Sequence, residues 1–140
     1  MPRSLFLPIA LSLTAFPADR ADAISCQTGP FILFFDKNSA FIDAEAREVL
    51  DYAILAAENC VARYPQVAGH TDKVENPEVG QLRVEVTRKY LEARGFPSTH
   101  ITGHNFGSDR PRMRERARGE EPENRRIELM LWHKSTSVSE

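Results

Sequence analysis

Three polar segments contain the residue types that could do chemistry. They are Gly69-His70-Thr71-Asp72, then Arg83, then Asn124-Arg125-Arg126-Ile127-Glu128. His70 and Asp72 could ligate a metal, but no third or fourth ligand stands at a useful spacing. Neither a Gly-x-Ser-x-Gly turn nor a Cys–His nucleophile arrangement is apparent, so hydrolase chemistry has little support. We therefore predict no enzyme activity, no metal site and no cofactor.

Taken singly, the same residues have ordinary structural interpretations. An aspartate after Gly-His-Thr is most often a turn or cap residue, and this would suffice for Asp72. A lone helix arginine such as Arg83 is most often solvated or paired with a neighbour such as Glu78. Arg125 and Arg126 could both pair with helix carboxylates. Only the combination of these residues in one pattern favours a binding site over the structural interpretations.

Taken together in chain order, five segments resemble the OmpA-like family of peptidoglycan-binding domains, the type found in Pal and at the C-terminus of MotB. The family pattern has an aromatic-Asp strand end, a Gly-His/Tyr-Thr-Asp turn, an asparagine and an arginine at fixed spacing before Tyr-Leu and Gly, and an Asn-Arg-Arg strand opening. The matching segments are Phe35-Asp36-Lys37, Gly69-His70-Thr71-Asp72, Asn76, Arg83 with Tyr90-Leu91 and Gly95, and Asn124-Arg125-Arg126-Ile127-Glu128.

The resemblance implies non-covalent binding of peptidoglycan through the diaminopimelate of its stem peptide. The side-chain end of diaminopimelate has an ammonium, which Asp72 would accept, and a carboxylate, which the bidentate fork of Arg83 would hold. Asp36 and Asn76 would line the pocket or fix its loops, and Thr71 belongs to the same peptidoglycan-binding set. Peptidoglycan is therefore the expected partner, and nucleic acid is not.

The chain also departs from the family pattern. The segment between Asp72 and Asn76 is shorter than is common in the family, and Val79-Gly80 replaces a Leu-Ser pair. The shortened segment favours an alternative, an envelope adaptor that keeps the fold, has lost the peptide pocket and binds a protein partner. A wall-active enzyme is a further rival, against which the missing nucleophile and metal constellations count.

Length and composition are those of one globular domain. The chain has 140 residues, 41% of them hydrophobic, and a net charge of −2, which gives no general attraction to polyanions. Residues 1–23 read as a secretory signal, with Arg3 before an apolar run at 5–16 that is shorter than the ~20 residues of a membrane span. We expect a domain at 24–134, a tail at 135–140 and a periplasmic location, with the signal either cleaved or kept as an anchor.

Cys26 and Cys60 are the two cysteines of the chain. In an exported protein such a pair most often forms a disulfide, which on the chain-entropy model would stabilise the fold by roughly 3–4 kcal/mol. Two buried thiols are the alternative. The residues before Cys26 match a lipobox poorly, so we expect no lipid attachment.

Hydrophobic periodicity and caps predict the elements. Residues 31–35 and 61–69 predict strands, residues 100–105 a short third strand, and the alternation from 126 to 131 a half-exposed fourth. Asp43 predicts the start of one helix, which Asn59 ends, and Asn76-Pro77-Glu78 predicts the start of a second, which Gly95 ends. The expected apolar face of the second helix is Val79, Leu82, Val86, Tyr90 and Ala93. The order β-α-β-α-β-loop-β predicts an α+β sandwich, with both helices on one face of a mixed sheet.

A basic segment lies between the third and fourth strands. It has five arginines within residues 110–118, but Glu120, Glu121 and Glu123 follow at once and no aromatic residues interleave. We expect a solvated loop that neutralises itself. Anionic glycan, lipid headgroups or a protein partner suit it better than nucleic acid.

Overall fold

The computed structural model describes residues 26–116 and 118–134, so the predicted secretory signal and tail lie outside the described residues. Within them the predicted order of elements is confirmed, and neither helix is long and apolar enough to span a membrane. The elements are β1 (Phe31–Phe34), α1 (Ala44–Asn59), β2 (Tyr64–His70), α2 (Glu78–Ala93), β3 (Thr102–Gly107) and β4 (Arg126–Trp132).

The four strands form one mixed sheet in the order β1-β4-β2-β3. β4 is antiparallel to both of its neighbours, and β2 is parallel to β3. Ile127, Leu129 and Leu131 alternate along β4 and are at most 1% exposed, because they face the layer formed by α1 and α2. The α+β fold with two helices on one sheet face is therefore confirmed.

Helix α1 begins and ends where its sequence indicates. The Asp43 side chain accepts a hydrogen bond from the Ala46 N–H at 2.8 Å, which satisfies one of the free donors of the first turn. Its buried face includes Leu50 and Ala53. A disulfide joins Cys26 to Cys60 directly after the helix, as predicted.

The predicted bounds of two strands are wrong by a few residues. Val61 adopts a left-handed backbone conformation (φ 54°), which no strand accommodates, so β2 begins only at Tyr64 and continues through His70. A 3₁₀ turn occupies Ser98–His100, so β3 begins later than predicted, at Thr102, and it ends at Gly107. Both shifts move the strands toward the end of the sheet that carries the motif residues.

The predicted buried face of α2 is also wrong in part. Leu82 is 50% exposed, whereas Gly80, Arg83 and Thr87 are buried. A β-carbon on Gly69 of β2 would lie 2.5 Å from the carbonyl oxygen of Gly80, so these two glycines let helix and strand backbones approach closely. This approach sets the rotation of α2 and directs Arg83 inward.

Candidate functional site

The motif residues meet where β1 and β2 end and α2 begins. The turn between β2 and α2 ends in Asn76, whose side-chain oxygen accepts from the Glu78 N–H at 3.0 Å. The capping role predicted for Asn76 is thus confirmed. Its own N–H donates to the side chain of Asn38 at 2.9 Å, which ties the turn to the loop after β1.

Arg83 projects from α2 into this junction and is completely buried. Its Nε donates to the Ser39 carbonyl at 2.8 Å, Nη1 to the His70 carbonyl at 3.0 Å, and Nη2 to the Asp36 carbonyl at 3.1 Å. Its guanidinium carbon lies 5.0 Å from the centre of the Phe35 ring. The ordinary structural interpretation of Arg83 as a solvated arginine, or as a partner of Glu78, therefore does not hold.

Glu75 is the counter-ion of Arg83 and is itself only 5% exposed. Its Oε1 lies 2.5 Å from Nη2 and its Oε2 lies 3.0 Å from Nη1, which is the bidentate geometry that a guanidinium offers to a carboxylate. The backbone N–H groups of Asn38 and Asp72 donate to the same carboxylate at 2.8 and 3.1 Å. Four donors thus surround one buried carboxylate.

Asp72 is 1% exposed and is equally well coordinated. Its Oδ1 accepts from the N–H groups of Val74 and Glu75, and its Oδ2 accepts from Arg125 Nε at 2.8 Å and from the Glu121 N–H. Burial by itself would raise the pKa of Asp72, but the hydrogen bonds from Arg125, Glu121 and Val74 outweigh it and hold that pKa below its ordinary value. We call Asp72, Glu75, Arg83 and Arg125 the charge network.

The predicted binding residues divide into a buried and an exposed group. Thr71, Asp72 and Arg83 are at most 3% exposed, and the Thr71 N–H donates to the Gly107 carbonyl at 2.9 Å. The side chains of Asp36 and Asn76 are exposed on the loops above them. The fold therefore brings all five residues to one end of the sheet.

The two arginines that open the last strand have partners other than the helix carboxylates expected from the sequence. Arg125 pairs with Asp72 in the turn after β2. Arg126 pairs with Glu128 in its own strand at 2.7 Å and donates to the Arg110 carbonyl at 3.2 Å. The expected pairing with helix carboxylates is wrong, because the nearest carboxylates lie in the turn after β2 and in β4 itself.

The basic segment neutralises itself in part, as predicted. Arg112 lies 3.8 Å from Glu123, and Arg116 lies 3.5 Å from Glu121. Asn124, which is fully buried, holds the start of the segment by accepting from the Arg112 and Met113 N–H groups and donating to the Met113 carbonyl. In the described parts of the chain, no three His, Cys, Asp or Glu side chains gather as metal ligands.

No protein-family model matches the chain, but several known proteins are similar to it in sequence or fold. Over 87 residues the chain is 32% identical to a peptidoglycan-associated lipoprotein of Brucella melitensis, a match that covers 56% of this chain and 49% of the relative. The chain is thus similar to peptidoglycan-associated lipoproteins over the matched region. The chain spans about half the length of the curated relatives it matches.

Solved structures show the same fold as this OmpA-like domain. The peptidoglycan-associated lipoprotein of Burkholderia pseudomallei superimposes with a TM-score of 0.65 at 21% identity, covering 79% of this chain and 97% of that one. The OmpA-like domain of FopA1 from Francisella tularensis gives a TM-score of 0.62 at 15% identity, with 71% of each chain covered.

Sequence reasoning missed Glu75, the central residue of the charge network in this OmpA-like domain. The available signal was the short segment between Asp72 and Asn76, which contains this single carboxylate. In the structure, Glu75 pairs with Arg83 from within this short turn.

Proposed function

We propose that this OmpA-like domain binds peptidoglycan non-covalently in the bacterial envelope. The observation that carries the proposal is the convergence of the motif residues on one charge network, in a chain whose relatives are named peptidoglycan-associated lipoproteins. The members of this network lie on the turn after β2, on α2 and directly before β4, so three parts of the fold hold it. The expected location is the periplasm, at or near the outer membrane.

Within this proposal, diaminopimelate of the stem peptide supplies the two charges that the network recognises. The ligand carboxylate replaces Glu75 on Arg83, whose two terminal nitrogens already lie in the bidentate arrangement. Because one carboxylate replaces another, the buried guanidinium is never left unpaired, and the large free-energy cost of an isolated buried charge is avoided.

The ammonium of diaminopimelate takes the place of Arg125 on Asp72. The side chain of Arg125 is 12% exposed, so it can turn toward solvent while Asp72 keeps its backbone hydrogen bonds. Asp36 and Asn76, exposed on the loops above, then contact the rest of the stem peptide, and Thr71 fixes the turn. A peptide with lysine in place of diaminopimelate lacks the carboxylate for Arg83 and leaves the exchange with Glu75 incomplete.

A second candidate function is an envelope adaptor with no peptide pocket. The observation that favours it is the full coordination of Arg83 and Asp72 by groups of the domain itself. In this alternative Glu75 is a permanent part of the fold and the ligand is a protein.

Titration calorimetry separates the two candidates. The domain is titrated with a diaminopimelate-containing stem peptide and with the lysine counterpart. Glu75→Gln removes the competing charge and keeps the side-chain shape, so we expect it to bind the first peptide about tenfold more tightly. Glu78→Gln is the matched control, because Glu78 lies three residues further on at an exposed position outside the network.

Two exposed variants keep the test decisive if changes in the buried network impair folding. Asp36→Ala and Asn76→Ala leave the buried ion pair in place, and each should weaken binding several-fold. No heat from the wild type or from folded Glu75→Gln would overturn the diaminopimelate proposal in favour of the adaptor.

We also propose that the domain acts by binding alone, without catalysis. Incubating it with purified sacculi tests this directly, since a hydrolase would release soluble fragments. Retention of the protein in the pellet with no released fragments is the expected result.

A further inference from the structure

A cleft lies on the sheet face opposite to the helices. It measures about 460 Å³ and is lined by outward-facing residues of β2 and β4 together with Phe106 of β3 and the segment that follows it. The lining residues are Gln66, Ala68, His70, Phe106, Arg110, Pro111, Arg112, Arg126, Glu128 and Met130. None of these residues belongs to the charge network.

Two side chains in the wall of this cleft are buried with polar atoms left over. His70 and Arg126 are each 3% exposed. Among the described residues, there is no hydrogen-bond partner for either ring nitrogen of His70 or for Nη1 of Arg126. Buried polar groups are nearly always satisfied, and each unsatisfied one costs free energy. The described chain therefore supplies no hydrogen-bond partner for these three buried atoms.

The charges of the cleft limit what that partner can be. Three of the lining residues are arginines, and Glu128 is the single carboxylate among them. Glu128 is already engaged with Nε and Nη2 of Arg126. The guanidinium of Arg110 lies on the Phe106 ring at 3.8 Å and is exposed at the rim. The cleft thus offers unused donors and excess positive charge.

We propose that this cleft is a binding site for an oxyanion, a phosphate or carboxylate group carried by a small molecule. Nη1 of Arg126 and one ring N–H of His70 donate to it from the wall, and Arg110 donates from the rim. Planar guanidinium groups suit the oxygens of both ligand types. The volume exceeds that of a single ion, which leaves room for the rest of the molecule beside Phe106 and Met130.

The ionisation of His70 gives the site a specific readout. Burial, with smaller contributions from Arg126 and Arg110, lowers the pKa of His70 to about 4, against a small opposing effect of Glu128. An oxyanion placed beside the ring adds negative charge and should raise that pKa. Binding should therefore tighten as the pH falls from 7 toward 5.

Nuclear magnetic resonance of the full chain tests the proposal. The side-chain signals of His70 and Arg126 are followed while sodium phosphate or sodium acetate is added, with sodium chloride at matched ionic strength as the reference. We expect saturable shifts with at least one oxyanion, a raised pKa of His70, and no saturation with chloride. The two oxyanion arms show whether phosphate or carboxylate is preferred.

A pair of arginine variants locates the site. Arg110→Ala should weaken oxyanion binding about tenfold by removing a charge-assisted donor. Arg114→Ala is the matched control, because Arg114 is an exposed arginine of the same segment that does not line the cleft. The proposal is overturned if neither oxyanion gives a saturable shift, or if both variants weaken binding equally, which would indicate general charge attraction.

Discussion

The carboxylate of Glu75 lies against both terminal nitrogens of Arg83, at 3.0 and 2.5 Å, in an ion pair that solvent does not reach. Desolvation of the two charges is costly, and only good geometry with further hydrogen bonds compensates for it. Both conditions hold, since Asn38 and Asp72 donate to the same carboxylate. Glu75 thus links α2, its own turn and the loop after β1. It also occupies the guanidinium of Arg83, the group proposed to hold the ligand.

Removing the charge of Glu75 should destabilise the fold. Glu75→Gln leaves the guanidinium of Arg83 buried without a counter-ion, and we expect the free energy of unfolding to fall by about 3 kcal/mol. Urea denaturation measures this change. Lys37→Ala, which breaks an exposed ion pair with Glu120, should change stability little. Equal effects of the two substitutions would contradict a structural role for the buried pair.

Saturating diaminopimelate peptide should recover part of the stability that Glu75→Gln loses, because the ligand carboxylate would pair with Arg83 in its place. Repeating the denaturation with the peptide present checks this. A lysine-type peptide that restores stability equally well would argue against recognition of the carboxylate.

A side chain at Gly69 should disrupt the packing of α2 on β2. The added β-carbon of Gly69→Ala would lie 2.5 Å from the Gly80 carbonyl oxygen and 2.7 Å from Val84, so the helix must move. We expect a loss of about 3 kcal/mol, at the upper end of the usual cost of overpacking. Gly95→Ala introduces only backbone strain, since nothing lies within 4 Å of its β-carbon, and should cost about 1 kcal/mol. Reversal of this order in thermal unfolding would be inconsistent with the close approach.

The buried His70 should make the fold sensitive to acid. Its pKa is about 4 in the folded protein and 6.5 ordinarily, so the unfolded chain binds the proton first. Stability should be full above pH 6.5 and should decline by about 3 kcal/mol as the pH falls to 4. The lowered pKa of Asp72 adds a further loss at still lower pH, as its carboxylate is protonated.

His70→Phe isolates the contribution of the imidazole. The variant keeps an aromatic ring against Phe106 but cannot titrate. Its stability should therefore vary less between pH 6.5 and pH 4 than that of the wild type, while the contribution of Asp72 is common to both. Denaturation curves across this range measure the difference, and parallel pH profiles would show that His70 does not carry it.

Asn124 should control the order of the basic segment. Asn124→Ala leaves the N–H groups of Arg112 and Met113 and the Met113 carbonyl without their partner, and we expect a loss of about 2 kcal/mol. Hydrogen exchange at residues 112 and 113 should accelerate. Asn59→Ala, at an exposed helix end, is the control and should leave exchange at both positions unchanged. Unchanged protection in Asn124→Ala would contradict the assignment.

The disulfide should stabilise the fold by restricting the conformations of the unfolded chain. It joins residues 34 apart in sequence, so replacing both Cys26 and Cys60 by serine should lower stability by roughly 3–4 kcal/mol. Guanidinium denaturation of the oxidised wild type, the reduced wild type and the double variant checks this. The last two should agree, and a reduced protein as stable as the oxidised one would contradict the prediction.

The sequence by itself determined the order of the elements and the ends of both helices. The caps at Asp43 and Asn76 depend on hydrogen bonds to residues two or three positions away, and the alternation along β4 reflects burial on one face. Such signals are local, so they can be read without the rest of the fold. The motif pattern also assigned Asp72 and Arg83 to one site.

Only the tertiary structure decided what those two residues contact. The rotation of α2 follows from the approach of Gly69 to Gly80, and it turns Arg83 away from solvent toward Glu75. Asp72 pairs with Arg125, which lies directly before β4 and 53 residues later in the chain. Side-chain pairing at a junction of loops depends on the angle and distance at which distant elements meet, and no local pattern in the sequence encodes either.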